Sequence, residues 1–134
     1  SNGGSTVLAA TNLRHRDVGA ATVRPAFAIA FYPGCEADLR RGFAPTAPLL
    51  MLVGQADDWT PAAPCRALAQ ASPDPKPEIE VYPGAFHGFD SAAPLRVRKD
   101  VPNGVNPGQG VHVGGNAAAW QASQERLRKF LADR

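Results

Sequence analysis

Three residues of this chain could act together on a substrate: Ser1, Asp57 and His87. A serine hydroxyl is a weak nucleophile at neutral pH. It needs a histidine to take its proton, and an acid to orient that histidine and offset the charge it gains. Asp57 lies in Gly54-Gln55-Ala56-Asp57-Asp58-Trp59-Thr60-Pro61, and His87 in Gly84-Ala85-Phe86-His87-Gly88-Phe89-Asp90; each segment follows an apolar run. Ser1 opens Ser1-Asn2-Gly3-Gly4, ahead of a stretch of small residues. That fits the second half of a G-x-S-x-G turn, which exposes a serine between a strand and a helix. Gly3 and Gly4 would let neighbouring backbone pack closely there. The plainer alternatives are a Ser1 without a chemical part and a His87 that serves only its loop.

Other reactive side chains read more quietly. Asp58 competes with Asp57 for the acid's place, and otherwise reads as a solvated or helix-capping carboxylate. Trp59 and Phe86 flank the acid and the histidine, either as packing residues or as contacts for a substrate. His15 and His112 read as surface or loop histidines, since no carboxylate or cysteine spacing makes either a metal ligand. Arg96, Arg98 and Lys99 read as solvated charge, with attraction of an anionic substrate as the sharper alternative. Cys35 and Cys65 form no CxxC pair, so they are two thiols or one disulfide. We expect the disulfide. It would imply an oxidising compartment, a periplasm or the outside of a cell; two thiols would suit a cytoplasmic protein.

The elements must bring these groups together. A helix of small residues is expected over 7–12 and a loop over 13–24. The runs 25–32, 49–53 and 79–82 read as strands, the first two nearly all apolar, as suits strands buried on both faces of a parallel sheet. Helices are expected over 61–71, with Thr60 as N-cap, and over 117–132, where Trp120, Leu127, Phe130 and Leu131 form one stripe. Residues 91–116 are rich in Gly and Pro and read as loop. Alternation of strand and helix argues for an α/β architecture, in which functional groups collect beyond the carboxyl ends of parallel strands. Three such strands need more sheet beside them, because an apolar edge left open invites aggregation. Roughly half of the domain is therefore expected outside this chain. A net charge of +2 is too small to argue for nucleic acid or a membrane surface, and no apolar run reaches the length of a membrane span.

Taken together, Ser1-Asn2-Gly3-Gly4, Tyr32-Pro33-Gly34-Cys35 and the acid and histidine segments resemble the dienelactone hydrolase family. The likeness runs over most of the chain, through the late Gly-rich loop and the last helix. It implies an α/β-hydrolase fold, with this chain as the C-terminal part of a mostly parallel sheet flanked by helices and the N-terminal half of the domain as its partner. It implies a hydrolase that cleaves a small ester or lactone through an acyl-enzyme, without cofactor or metal. Ser1 would attack the carbonyl, His87 would carry the proton, and Asp57 would orient the imidazole. The family's spacing of Gly, two residues, Asp selects Asp57 over Asp58. The Asn2 N–H would supply half of an oxyanion hole. The founding enzymes use a cysteine nucleophile where this chain has serine, which points toward a general esterase-like relative. The alternatives on the same fold are a serine peptidase, an acyltransferase, or an inactive binding module.

Overall fold

The computed structural model describes all 134 residues. In chain order its elements are α1 (Asn2–Ala10), α2 (Arg16–Ala20), β1 (Ala28–Phe31), α3 (Glu36–Arg41), β2 (Leu49–Gly54), α4 (Ala62–Ala71), β3 (Glu78–Tyr82), β4 (Arg96–Arg98), β5 (Val111–Val113) and α5 (Ala117–Ala132). The chain forms two compact units, one from residues 1–52 and 63–80, the other from residues 53–62 and 81–134.

In the first unit, β1 and β2 run parallel in the register Ala28↔Leu49 to Phe31↔Leu52. The sheet has the order β1-β2-β3, so β2 is central. Leu49, Leu50, Met51 and Leu52 are all buried, which is why this strand is an unbroken apolar run rather than an alternating one. Parallel neighbours need a crossover, and α3 supplies it. No helix is expected there from the sequence, because Glu36-Ala37-Asp38-Leu39-Arg40-Arg41 offers only a short apolar stripe. Its charges explain it: acids in the first turn and arginines in the last oppose the helix dipole. Gly42, at φ 84°, ends the helix in a conformation that glycine adopts without penalty.

Strand β1 is shorter than the expected 25–32, α4 starts one residue after the expected 61, and the chain around α1 differs from expectation for physical reasons. Helix α1 starts at Asn2, not at residue 7. A Cβ on Gly4 would stand 2.6 Å from the Phe31 carbonyl oxygen, so the close packing expected of the small residues falls on Gly4; Gly3 has open space around it. The Gly34 N–H donates to Ser5 Oγ at 3.0 Å and ties α1 to the turn after β1. The interval 13–24, expected as loop, contains the short α2. It is anchored by the buried Asn12, whose side chain donates to Asp38 Oδ1 and the Gly42 carbonyl and accepts from the N–H groups of Arg14 and Ala44. Cys35 and Cys65 are joined by a disulfide, with sulfurs 2.06 Å and Cα atoms 5.1 Å apart. The bridge pins the start of α3 to the first turn of α4.

In the second unit, β4 and β5 form an antiparallel pair inside the stretch expected to be loop, in the register Arg96↔Val113 to Arg98↔Val111. Each has only three residues, too few for an alternating pattern to stand out. Helix α5 covers the expected 117–132, capped by Asn116 Oδ1 accepting from the Ala119 N–H at 3.0 Å. Its buried residues are Ala119, Ser123 and Phe130, while Trp120 and Leu131 are 37% and 40% exposed. The buried stripe is thus rotated from the expected one toward smaller residues. No helix is long and apolar enough to cross a membrane.

Candidate active site

Asp57 and His87 meet within the second unit, and backbone contacts place them. The end of β2 lies so close to the histidine loop that a Cβ on Gly54 would stand 2.3 Å from the Ala85 carbonyl oxygen. The N–H groups of Gln55 and Ala56 donate to the carbonyls of Tyr82 and Ala85 at 2.9 and 3.0 Å. The two loops are therefore laced together just before each bears its side chain.

Asp57 Oδ2 accepts from His87 Nδ1 at 2.8 Å, with both residues 4% exposed. The rest of the carboxylate is also satisfied. Oδ1 accepts from the N–H groups of Trp59 and Thr60 at 2.9 and 2.8 Å, and Oδ2 accepts from Thr60 Oγ1 at 3.1 Å. These donors replace the water that burial removes and leave the carboxylate one orientation. The bond to Asp57 at Nδ1 fixes the orientation of the imidazole ring. The Trp59 ring packs on the imidazole with centroids 4.5 Å apart. Arg98 lies over the other partner of that pile, 5.6 Å from the Trp59 ring centre. Arg98 also donates through Nη2 to Asp100 Oδ2 at 2.5 Å. That hydrogen bond holds the Asp100 carboxyl below its ordinary range and the Arg98 guanidinium above its own.

Asp58 is not the solvated acid of the sequence reading, and His112 is not an idle loop histidine. Asp58 Oδ2 lies 2.6 Å from His112 Nδ1, and Oδ1 accepts the His112 backbone N–H at 2.8 Å. The His112 ring stacks on Phe86 with centroids 4.8 Å apart. Phe86 and Trp59 are thus both half-buried packing partners of histidines. Neither Thr60's hydroxyl bond to Asp57 nor the Asp58–His112 pair was read from the sequence. The Asp-x-x-Thr spacing is a usable signal for the first, since an aspartate readily turns the following backbone onto itself. The second joins residues 54 apart and leaves no local mark.

Ser1 and Asn2 belong to the first unit, where Ser1 is the N-cap of α1 and Asn2 its first residue. Ser1 borders an open surface cavity of about 460 Å³ whose walls include Gly3, Gly4, Val7, Ile29 and Phe31. The N–H groups of the first helical turn have no partner inside the helix and carry the positive end of its dipole.

The model of the dienelactone hydrolase family matches residues 17–133, most of the chain; Ser1 and Asn2 precede the matched segment. No curated protein and no solved structure matches the chain significantly. The match takes in the parallel strands, the acid and histidine loops and the last helix, and on that extent the chain belongs to the dienelactone hydrolase family, hydrolases of the α/β-hydrolase fold.

Proposed function

We propose that this chain carries the catalytic groups of a serine-type carboxylic ester hydrolase acting on a small ester or lactone through an acyl-enzyme. The observation that carries the reading is the buried Asp57–His87 pair at 2.8 Å, whose carboxylate has its remaining lone pairs filled by Trp59 and Thr60. Ser1 Oγ attacks the carbonyl carbon while His87 Nε2 takes its proton. The imidazolium, stabilised by Asp57, then returns that proton to the departing alcohol. Water, activated in the same way, releases the acid and regenerates Ser1. The Asn2 N–H, at the N-terminus of α1, donates to the oxyanion. Trp59, packed on His87, and Phe86 border the substrate.

We further propose that β1 pairs with more strands of the same domain, supplied by its N-terminal half. The support is topological: β1 is an edge strand, and Ile29 and Phe31 lie only half-buried beside the cavity next to it. The Cys35–Cys65 bridge favours a periplasmic or secreted protein.

A panel of p-nitrophenyl esters and peptides, offered to the complete protein, tests the activity. Turnover of short-chain esters that disappears in Ser1→Ala and His87→Ala is the expected result. Turnover of peptides alone would make the protein a peptidase, and no turnover at all a binding module.

A further inference from the structure

A second acid–histidine pair stands beside the first, one residue along on each side. Asp58 follows Asp57 in the chain, and the His112 ring is stacked on Phe86, which precedes His87. The Asp58 side chain is 20% exposed and that of His112 is 42% exposed. An isolated carboxylate–imidazole contact so placed contributes little to stability. Its connections set it apart. Asp58 holds the 105–112 segment at three points: its carboxylate takes the Nδ1 and the backbone N–H of His112, and its own carbonyl accepts the Val105 N–H at 2.8 Å. Val113, next in the chain after His112, makes a parallel bridge to His87, and the Gly114 N–H donates to the His87 carbonyl at 3.0 Å. The contacts close a circuit. It runs from Asp57 to Asp58, across to His112, on to Val113, across to His87, and back to Asp57 through the 2.8 Å bond.

We propose that Asp58 and His112 are positioning residues for the reaction, and that by tying β5 to the acid loop they set where the His87 imidazole stands against Asp57. This rests on the hydrolase reading of Asp57 and His87. Asp58 is not a spare catalytic acid, because both of its carboxylate oxygens are engaged by His112. The lacing of Gln55 and Ala56 onto the Tyr82 and Ala85 carbonyls holds the loops from one side. The splint made by β5 holds them from the other. Opening it leaves the histidine loop bonded to residues 114 and 116 through the His87 and Phe89 carbonyls, but loosens the tie from those residues to the acid loop. Reaction rate is far more sensitive to such freedom than folding stability is, since a misplacement on the order of 1 Å costs up to about a hundredfold in rate.

The test uses the complete protein and separates the hydrogen bond from the ring stack. His112→Phe keeps a ring against Phe86 and removes the Nδ1 donor. His112→Asn removes the ring and returns an amide donor near the Nδ1 position. The expected result for His112→Phe is a fall in kcat of about tenfold with KM little changed, and for His112→Asn recovery of most of that loss. The low-field proton resonance of the His87 Nδ1–H bond to Asp57 should broaden in the first variant and return in the second, whatever the substrate. If His112→Phe fails to fold, Asp58→Asn is measured in its place; it keeps an acceptor for the His112 N–H but loses the charge, and the same fall in kcat is expected. A His112→Phe protein with the parent's kcat and an unchanged low-field resonance overturns the proposal. So does a loss of rate that His112→Asn does not restore and that follows a lowered melting temperature, which marks a merely structural pair. His87→Ala is measured alongside. If it abolishes turnover while His112→Phe retains the parent's rate, the positioning role alone fails. If His87→Ala itself retains the parent's rate, the hydrolase reading fails and the positioning role with it.

Discussion

Asp57 collects four donors in a setting almost closed to solvent: His87 Nδ1, the N–H groups of Trp59 and Thr60, and the Thr60 hydroxyl. That arrangement ranks the effects of substitution. Asp57→Asn keeps the shape but offers an amide to the imidazole, so His87 is held in the wrong tautomer; kcat for ester hydrolysis should drop by about 10³–10⁴-fold, and that of His87→Ala by more, about 10⁶-fold. Steady-state kinetics of the purified variants measure both, and near-parent rates would remove Asp57 and His87 from the reaction. Thr60→Val removes one donor and leaves the others. It should cost about 1–2 kcal/mol in urea denaturation and lower kcat much less than Asp57→Asn does. A Thr60→Val protein as impaired as Asp57→Asn would mean that the hydroxyl acts on the reaction directly.

Two devices set the geometry of the elements, and each can be removed. Gly54 lets the end of β2 touch the histidine loop, with only 2.3 Å between its notional Cβ and the Ala85 carbonyl oxygen. Both sides of that contact are backbone, so Gly54→Ala cannot be absorbed by a rotamer change. It should destabilise by about 1–3 kcal/mol and widen the Asp57–His87 bond, with loss of activity at temperatures where the fold survives. Thermal melts beside rate measurements check this. Unchanged melting and rate would show that the loops have slack. The Cys35–Cys65 bridge closes a 30-residue loop. In the chain-entropy account its removal in a Cys35→Ala, Cys65→Ala double variant lowers stability by about 3–4 kcal/mol. Since α4 follows directly on the acid loop, activity should fall at a lower temperature than global unfolding. Full activity of the double variant at elevated temperature would leave the bridge no such part.

At the scale of the whole molecule, the proposed extension of the sheet is tested at β1, the end strand of the order β1-β2-β3. Its Ala28 N–H donates to Pro48, and the N–H after its end, on Tyr32, donates to Leu52. By the alternation of a strand, the Ile29 N–H therefore faces away from β2. If further strands pair there, the Ile29 amide of the complete protein should exchange with solvent as slowly as the amides of β2. Hydrogen exchange read by NMR decides it, and rapid exchange at Ile29 beside slow exchange in β2 would show that the sheet ends at β1.

The sequence by itself determined the class of fold and most of the elements. Residues 49–53 can be buried on both faces because no polar side chain interrupts them, and 117–132 has a helical period; both signals are local. It also marked the acid and histidine loops, since glycine and proline punctuate the strand ends where those loops begin. It did not show α3, which is held by its charges and by the need for a crossover, nor β4 and β5, which are too short to carry a period. Nor did it show the use made of Asp58 and His112. Asp58 and Asp57 are adjacent residues of one type, and only the folded chain decides that one faces His87 and the other a histidine 54 positions away. The physical reason is range. Periodicity, capping and turn chemistry act within a few residues and are written along the chain. The pairing of a carboxylate with a distant imidazole depends on which backbone segments the sheet and the hairpin bring side by side, and that is settled only when they pack.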